Sequence, residues 1–258
     1  MRTEHALVAV AALVIGSHFA SGQVTIYQGD AATEAAWRSA AAGIGGTVPL
    51  ENFESYLGTP GPCQNRTDPV VALPALGVVL HGVVSGSYPG CYDDVMFAHS
   101  GAKQLANFGY DVPCANAVDY FIAASPGRVI RCAGLWQCDP QGNLTIVAED
   151  ASGSPMFTFV ALINNQSGNS FGGFVSSLPV ARLRVLGAEG DGWNHLDDLQ
   201  IVTLCAADFN GDTSVDDFDF FDFLNAFNAN DISADFNADT SVDDFDYFDF
   251  LNAFFGGC

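Results

Sequence analysis

FGGFVSSLPVARLRVLGAEGDGWNHLDDLQIVTL, residues 171–204, contains three short runs rich in β-branched and aromatic residues: FGGFVSS (171–177), VARLRVLG (180–187) and LQIVTL (199–204). A Pro and a Gly-Asp-Gly turn part them, and runs of this length between turn-formers read as strands. Towards the N-terminus the pattern recurs at LGVVLHGVV (76–84), DVMFAH (94–99), AVDYFIAAS (117–125), RVIRCAG (128–134), LTIVAED (144–150) and MFTFVALI (156–163). Many short strands separated by Gly, Pro, Asn and Asp predict a mainly β chain folded as an antiparallel β-sandwich or jelly roll. QVTIYQ (23–28) adds a strand, and one short helix follows it. There Asp30 is placed to cap AATEAAWRSAAAG, Glu34 favours the positive end of the helix dipole, and Gly43 marks a stop.

A chain of 258 residues with 49% hydrophobic content can bury a proper core, which argues against disorder of the whole. The formal charge of −22 is unevenly spread: residues 205–258 carry 13 Asp and no Lys, Arg or Glu. Nucleic acid is excluded as a partner, because no basic surface is available to displace its counterions. The N-terminus, MRTEHALVAVAALVIGSHFASGQ, has Arg2 before an apolar run from Ala6 to Gly16, then Ala20 and Gly22. This predicts a secretory signal peptide over residues 1–22, hence a secreted, extracellular and surface-associated protein. No stretch reaches the ~20 apolar residues that a membrane helix needs. Seven Cys, at 63, 91, 114, 132, 138, 205 and 258, form no CxxC pair, so zinc fits poorly and up to three disulfides with one odd thiol fit better.

Past the last strand, DFNGDTSVDDFDFFDFLNAF (208–227) returns as DFNADTSVDDFDYFDFLNAF (235–254). Read as 12-residue loops, the copies place Asp208, Asn210, Asp212, Ser214, Asp216 and Asp219, then Asp235, Asn237, Asp239, Ser241, Asp243 and Asp246, at positions 1, 3, 5, 7, 9 and 12. Alternate oxygen donors in a tight loop surround one calcium ion, and a donor set free of His and Cys favours calcium over zinc or copper. Two Ca2+ ions are therefore expected. Val215 and Val242, at position 8, suit a short strand contact between paired loops, and helices are expected from about Asp217 and Asp244. Asp219, Asp222 and Asn225 then form a narrow polar stripe amid Phe. Twelve Phe and a Tyr cannot all be hidden in so small a module, so an apolar patch is expected on its surface. The predicted organisation is a signal peptide at 1–22, a β-sandwich at 23–204 and a small α-helical module with two EF-hand-type loops at 205–258.

This segment resembles a type I dockerin, and more narrowly the GC-type dockerin that begins with a Cys just before ADFNGD and ends in Gly-Cys, here Cys205, Ala207 to Asp212, and Gly257-Cys258. It departs from the usual loop in having Thr213 and Thr240 where Gly is common, and Ala238 in the second copy where the first has Gly211. The resemblance implies docking to a cohesin-like or other surface receptor. The contacts it implies are Asp217, Phe218, Leu224 and Asn225, matched by Asp244, Phe245, Leu251 and Asn252. It also implies that Cys205 and Cys258, at the adjacent ends of a two-fold module, form a disulfide.

Residues 171–204 together with ENFESY (51–56) resemble jelly-roll-like domains of exported bacterial surface proteins, which implies the sandwich fold and no particular activity. Glu51, Glu54, Asp93, Asp94, Asp197 and Asp198 are the candidate catalytic carboxylates, but no GxSxG or HExxH motif accompanies them. The expected function is that of an exported noncatalytic binding or structural protein attached through its tail. The alternatives are a polysaccharide-degrading glycoside hydrolase or carbohydrate-binding accessory, and a calcium-stabilised surface protein whose tail has no partner.

Overall fold

The computed structural model describes residues 24–54, 70–82, 87–93, 99–101, 103–109, 119–138, 143–161, 170–186, 195–212, 214–237 and 241–256; at 70, 71, 82, 87–93, 103, 104, 106–109 and 195 it describes the backbone only. In chain order it contains β1 (Val24–Gly29), α1 (Ala31–Gly45), β2 (Leu50–Glu51), β3 (Val70–Leu73), β4 (Val78–Gly82), β5 (Ser87–Asp93), β6 (Lys103–Gly109) and β7 (Tyr120–Ala124). There follow β8 (Arg128–Gln137), β9 (Leu144–Glu149), β10 (Pro155–Ala161), β11 (Ser170–Val180), β12 (Arg182–Val185), β13 (His195–Cys205), α2 (Asp217–Asn228) and α3 (Asp244–Gly256). The signal-peptide reading lies outside the described residues, as do residues 94–98 of the strand expected at 94–99, whose last residue, His99, lies in a bend, and Cys63, Cys114, Cys258, Asp94, Asp239, Thr213, Ala238 and Thr240.

Every described strand pairing is antiparallel. One sheet runs β1-β11-β8-β13-β6-β5, with β2 also on β13, and the other runs β10-β9-β12-β7-β4-β3. Side chains alternate across each strand, so one face of each sheet fills the space between them. Ile130, Ala133 and Leu135 of β8, Phe174 of β11 and Leu196, Leu199 and Ile201 of β13 meet Leu80 of β4, Tyr120 and Ile122 of β7, Ile146 of β9 and Leu183 of β12, all buried. The chain is mainly β, as expected, with a helical C-terminal part.

On the far side of the first sheet lies α1. Asp30 caps it as expected, accepting from the backbone N–H groups of Ala32 and Thr33 at 3.0 and 3.2 Å. The stop is not Gly43: the helix runs to Gly45, and Gly46, at φ +73°, ends it with its N–H on the Ala42 carbonyl. Ile44 packs against the sheet with Val202 and Leu204, which rewards two further helical residues. Trp37 and Ala41, one turn apart, press onto Cys132, Trp136, Phe171 and Val202. The sheet is hollowed for Trp37: a Cβ on Gly134 would stand 3.0 Å from its ring, and one on Gly173 3.1 Å from its Nε1. That Nε1 donates to the Phe174 carbonyl at 2.9 Å.

Four strands were not foreseen: β2, β3, β5 and β6. SYPGCYD carries Pro-Gly and reads as a turn, yet β5 is an edge strand, where Pro need not donate to a neighbour. A bulge between Val175 and Val180 lets β11 continue past Pro179.

Candidate functional site

Two places gather polar chemistry, and the first is the acidic repeat. β13 runs one residue beyond the expected boundary, to Cys205, whose backbone still pairs with Arg128. Ala206 then donates its N–H to the Gly127 carbonyl at 2.8 Å, and Ala207 and Asp208 are buried. The module thus starts hard against the β7–β8 turn. Arg131, in the bulge of β8, donates to the Ser176 carbonyl at 2.9 Å. Burial pulls its guanidinium below the ordinary pKa, while the charge of Asp208 acts in the opposite direction.

The two copies fold alike. Asp219 is fully buried, one oxygen accepting from the Asn210 N–H at 3.0 Å and the other from the Asp216 N–H at 2.9 Å. Asp246, also fully buried, accepts from Asn237 at 3.0 Å and Asp243 at 2.8 Å. Asp216 and Asp243 cap α2 and α3 through the N–H groups of Phe218 and Phe245, each at 2.9 Å. In the first loop Asp212 receives the Ser214 N–H at 2.9 Å and gives its own N–H to Asn210 at the same distance. Gly211, at φ +76°, supplies the tight turn at loop position 4.

Asp219 and Asp246, read as loop position 12, point inward, where their carboxylates satisfy the N–H groups that the loop turns towards them. One expectation changes: Val215 and Val242 carry no strand, and Val215 is exposed. Among the described residues no three His, Cys, Asp or Glu side chains form a group that could hold a metal ion. The donor chemistry nevertheless fits a hard cation. Two fully buried carboxylates sit in a segment that contains no Lys or Arg, and burying a charge without an opposite one is unfavourable.

The helices meet through Phe. Phe223 and Phe250 stack at 4.0 Å with their planes 2° apart, and Phe209 and Phe236 meet Phe250 edge-on, at 6.3 and 5.6 Å. Phe218 is 69% exposed and its counterpart Phe245 70%; Phe221 and Phe248 are each 58% exposed, so the copies present matching rings. Asp217, Asn225, Asp244 and Asn252 are exposed beside them, with Leu224 and Leu251 half-buried.

The second place lies on the first sheet, where a bulge between Asp197 and Gln200 interrupts the pairing of β13 with β8. Asp198 sits at φ +47°, rare for a side chain with a Cβ. Asp197 accepts from the Asp198 N–H at 2.7 Å and from the Ser100 N–H at 2.8 Å. Asp198 accepts from the Ser100 hydroxyl at 2.7 Å and meets His99 Nδ1 at 2.6 Å. The His99 ring stacks on Trp136 at 3.8 Å. Trp136 Nε1 donates to Glu34 at 3.2 Å, Gln200 Nε2 donates to the other Glu34 oxygen at 2.7 Å, and Arg38 donates to Gln200. Glu51 accepts from the Phe53 N–H at 2.7 Å, and the Glu54 carboxyl lies over Gly101. The Asp93 side chain lies outside what is described. Nothing in the sequence marked His99, Ser100, Trp136 or Glu34 as neighbours of the paired Asp residues, since they come from three distant stretches.

No protein-family model matches the chain, and no curated relative does. Among solved structures it is similar to the K2 cleaved adhesin domain of Lys-gingipain, at 12% identity and TM-score 0.41, covering 60% of this chain and 99% of that one. It is also similar to an arabinose-bound GH51 α-L-arabinofuranosidase, at 12% identity and TM-score 0.33, covering 53% of this chain and 25% of that one. A third is TmCBM61 in complex with β-1,4-galactotriose, at 10% identity and TM-score 0.24, covering 48% and 86%. With overlaps this low, none of these likenesses bears on what the chain binds or does.

Two cysteine thiols sit beneath α1. Cys132 is free, and burial pushes its thiol up to about 12. The Cys138 thiol donates to the Trp136 carbonyl at 3.6 Å. Five cysteines remain, enough for two disulfides rather than three. Cys205 is disulfide-bonded.

Proposed function

We propose that the chain is an exported noncatalytic surface protein whose β-sandwich is carried by a calcium-folded docking module, residues 205–258. The observation that carries this reading is the matching exposure of Phe218 with Phe245 and of Phe221 with Phe248, around the stacked Phe223 and Phe250. Large exposed aromatics are costly to keep in water and are the side chains that most often anchor interfaces. Because the two sets match, a half-turn of the module offers a receptor nearly the same surface.

Asp208, Asn210, Asp212, Ser214, Asp216 and Asp219 in the first loop, and their counterparts from Asp235 to Asp246 in the second, would hold one calcium ion each. The ions would neutralise crowded carboxylates and so fix where each helix starts and which way its Phe residues point. Closure of the module by Cys205 and Cys258 belongs to the same reading. The noncatalytic part is supported by the paired Asp residues: all four carboxylate oxygens of Asp197 and Asp198 are already engaged within the protein. Such groups hold a loop rather than await a substrate.

Calorimetry on the full chain should show close to two calcium ions bound, with Asp208→Ala and Asp235→Ala each removing one; absence of binding at millimolar calcium refutes the calcium reading. For docking, the bait is the full chain with calcium, offered to surface extracts and, separately, to a purified cohesin. Phe218→Ala or Phe245→Ala should each retain capture, and the double variant should lose it while still binding calcium. If one single change abolishes capture, the two-way mode is wrong.

A further inference from the structure

Asn210-Gly211 is the one Asn-Gly pair in the 258 residues; the other Asn residues of the acidic module precede Ala226, Ala229, Asp231, Ala238 and Ala253. The backbone nitrogen that follows an Asn can reach its side-chain carbonyl carbon, and a Cβ on the following residue crowds that approach. Glycine brings no Cβ and turns freely. In the first loop Gly211 sits at φ +76°, and no atom lies within 4 Å of the place that its Cβ would take. Asn210 is exposed, and among the described residues no hydrogen bond holds the Gly211 N–H. The Asn210 amide is already oriented: its Oδ1 accepts from the Asp212 N–H at 2.9 Å, and its Nδ2 donates to Asp212 Oδ2 at 3.4 Å. We propose that Asn210 is a site of spontaneous deamidation through a cyclic imide formed with Gly211, a modification that the first loop undergoes much faster than the second.

The Gly211 nitrogen gives its proton to solvent and attacks Asn210 Cγ. As the N–Cγ bond forms, negative charge gathers on Oδ1, where the Asp212 N–H already donates. Collapse breaks the Cγ–Nδ2 bond, and Nδ2 takes a proton from water and leaves as ammonia. Water then opens the imide at either of its carbonyls. Opening at Cγ leaves Asp at 210; opening at the backbone carbonyl leaves isoaspartate, whose main chain runs on through Cβ and Cγ. Water is consumed, ammonia is released and an amide becomes an acid, with no oxidant or reductant involved. The consequence for the loop rests on the calcium reading of the repeat. Isoaspartate lengthens the path from Asp208 to Asp212 by one carbon and throws loop position 3 out of register. Asn237, followed by Ala238, keeps its place, so ageing leaves the two copies unequal.

The test incubates the full chain in chelator at mildly alkaline pH, with peptic digestion and mass spectrometry at intervals. Peptides containing Asn210 should gain the mass of amide-to-acid conversion, and separate into Asp and isoaspartyl forms, roughly tenfold faster than peptides containing Asn237. Gly211→Ala should slow Asn210 to the rate of Asn237. Because that variant strains a left-handed position, Ala238→Gly serves as the second: it should raise Asn237 to the rate of Asn210. Equal rates at the two Asn residues of the wild type would overturn the proposal. So would an Asn210 that stays an amide in the folded chain after a synthetic peptide of residues 206–216 has deamidated. Calorimetry then reads the consequence: the purified isoaspartyl chain should bind one calcium ion fewer than the fresh chain, and equal binding overturns the loss of the first site. A fresh chain that binds no calcium refutes the calcium reading and leaves the modification standing.

Discussion

Replacing Tyr120 with Phe should make the protein more stable. Tyr120 begins β7 and is fully buried in the core between the sheets, where its hydroxyl has no hydrogen-bond partner among the described residues. Burial also pushes its phenol above the ordinary pKa. A buried polar group without a partner carries its desolvation penalty, about 1–3 kcal/mol, and removing one oxygen leaves too small a gap to offset that. The expected gain is about 1–2 kcal/mol, or a rise in Tm of some 3–6 °C for a domain of this size. Urea unfolding followed by tryptophan fluorescence reads the right unit, because Trp37, Trp136 and Trp193 all precede the acidic repeat. The slope against urea should not change, since the surface exposed on unfolding is the same. The gain should be equal at mildly acidic and mildly alkaline pH. A loss exceeding ~0.5 kcal/mol would show that the hydroxyl is satisfied after all, and the argument from an orphaned phenol would be wrong.

Two glycines should respond with opposite sign. A Cβ on Gly173 would lie 2.8 Å from the Ala133 carbonyl oxygen, backbone that cannot step aside, so Gly173→Ala should cost about 1–3 kcal/mol in the same unfolding assay. Gly43 lies within α1 with nothing within 4 Å of its Cβ position, so Gly43→Ala should gain about 0.5–1 kcal/mol. In the C-terminal module, Phe223→Ala or Phe250→Ala removes half of the central stack and should cost about 3–5 kcal/mol by circular-dichroism melting. Phe218→Ala and Phe245→Ala, on rings that are mostly exposed, should stay within about 0.5 kcal/mol of the wild type. Equal losses at the two kinds of position would mean that the exposed rings are structural.

Much of the architecture was legible because its causes are local. Asp30 caps α1, and Asp216 and Asp243 cap α2 and α3, each through N–H groups two or three residues ahead. The apolar runs that became β7 to β13 announced themselves by β-branched content and bounding turns. The sequence was silent where a neighbour decides. β5 is a strand despite Pro89 because it lies at an edge, and edge position belongs to the sheet. Gly46, not Gly43, closes α1 because Ile44 finds Val202 and Leu204 beneath it.

The candidate sites divide along the same line. The doubled Asp and Phe pattern is written in the chain, and with it the equivalence of the two copies. Which rings are hidden is not: Phe218, Phe220, Phe221 and Phe223 crowd within two turns of one helix, and only the approach of α3 selects Phe223 for the stack. Asp219 was legible as the last residue of its loop, but that its carboxylate folds back onto the Asn210 and Asp216 N–H groups is seen only in the fold. The pair Asp197-Asp198 stood out by its charge, but its role rests on Ser100, 97 residues away along the chain, and on a left-handed residue inside a strand. Hydrogen bonds and stacking act over a few ångströms irrespective of sequence separation, so the sequence supplied the groups and the sheet's register decided which of them meet.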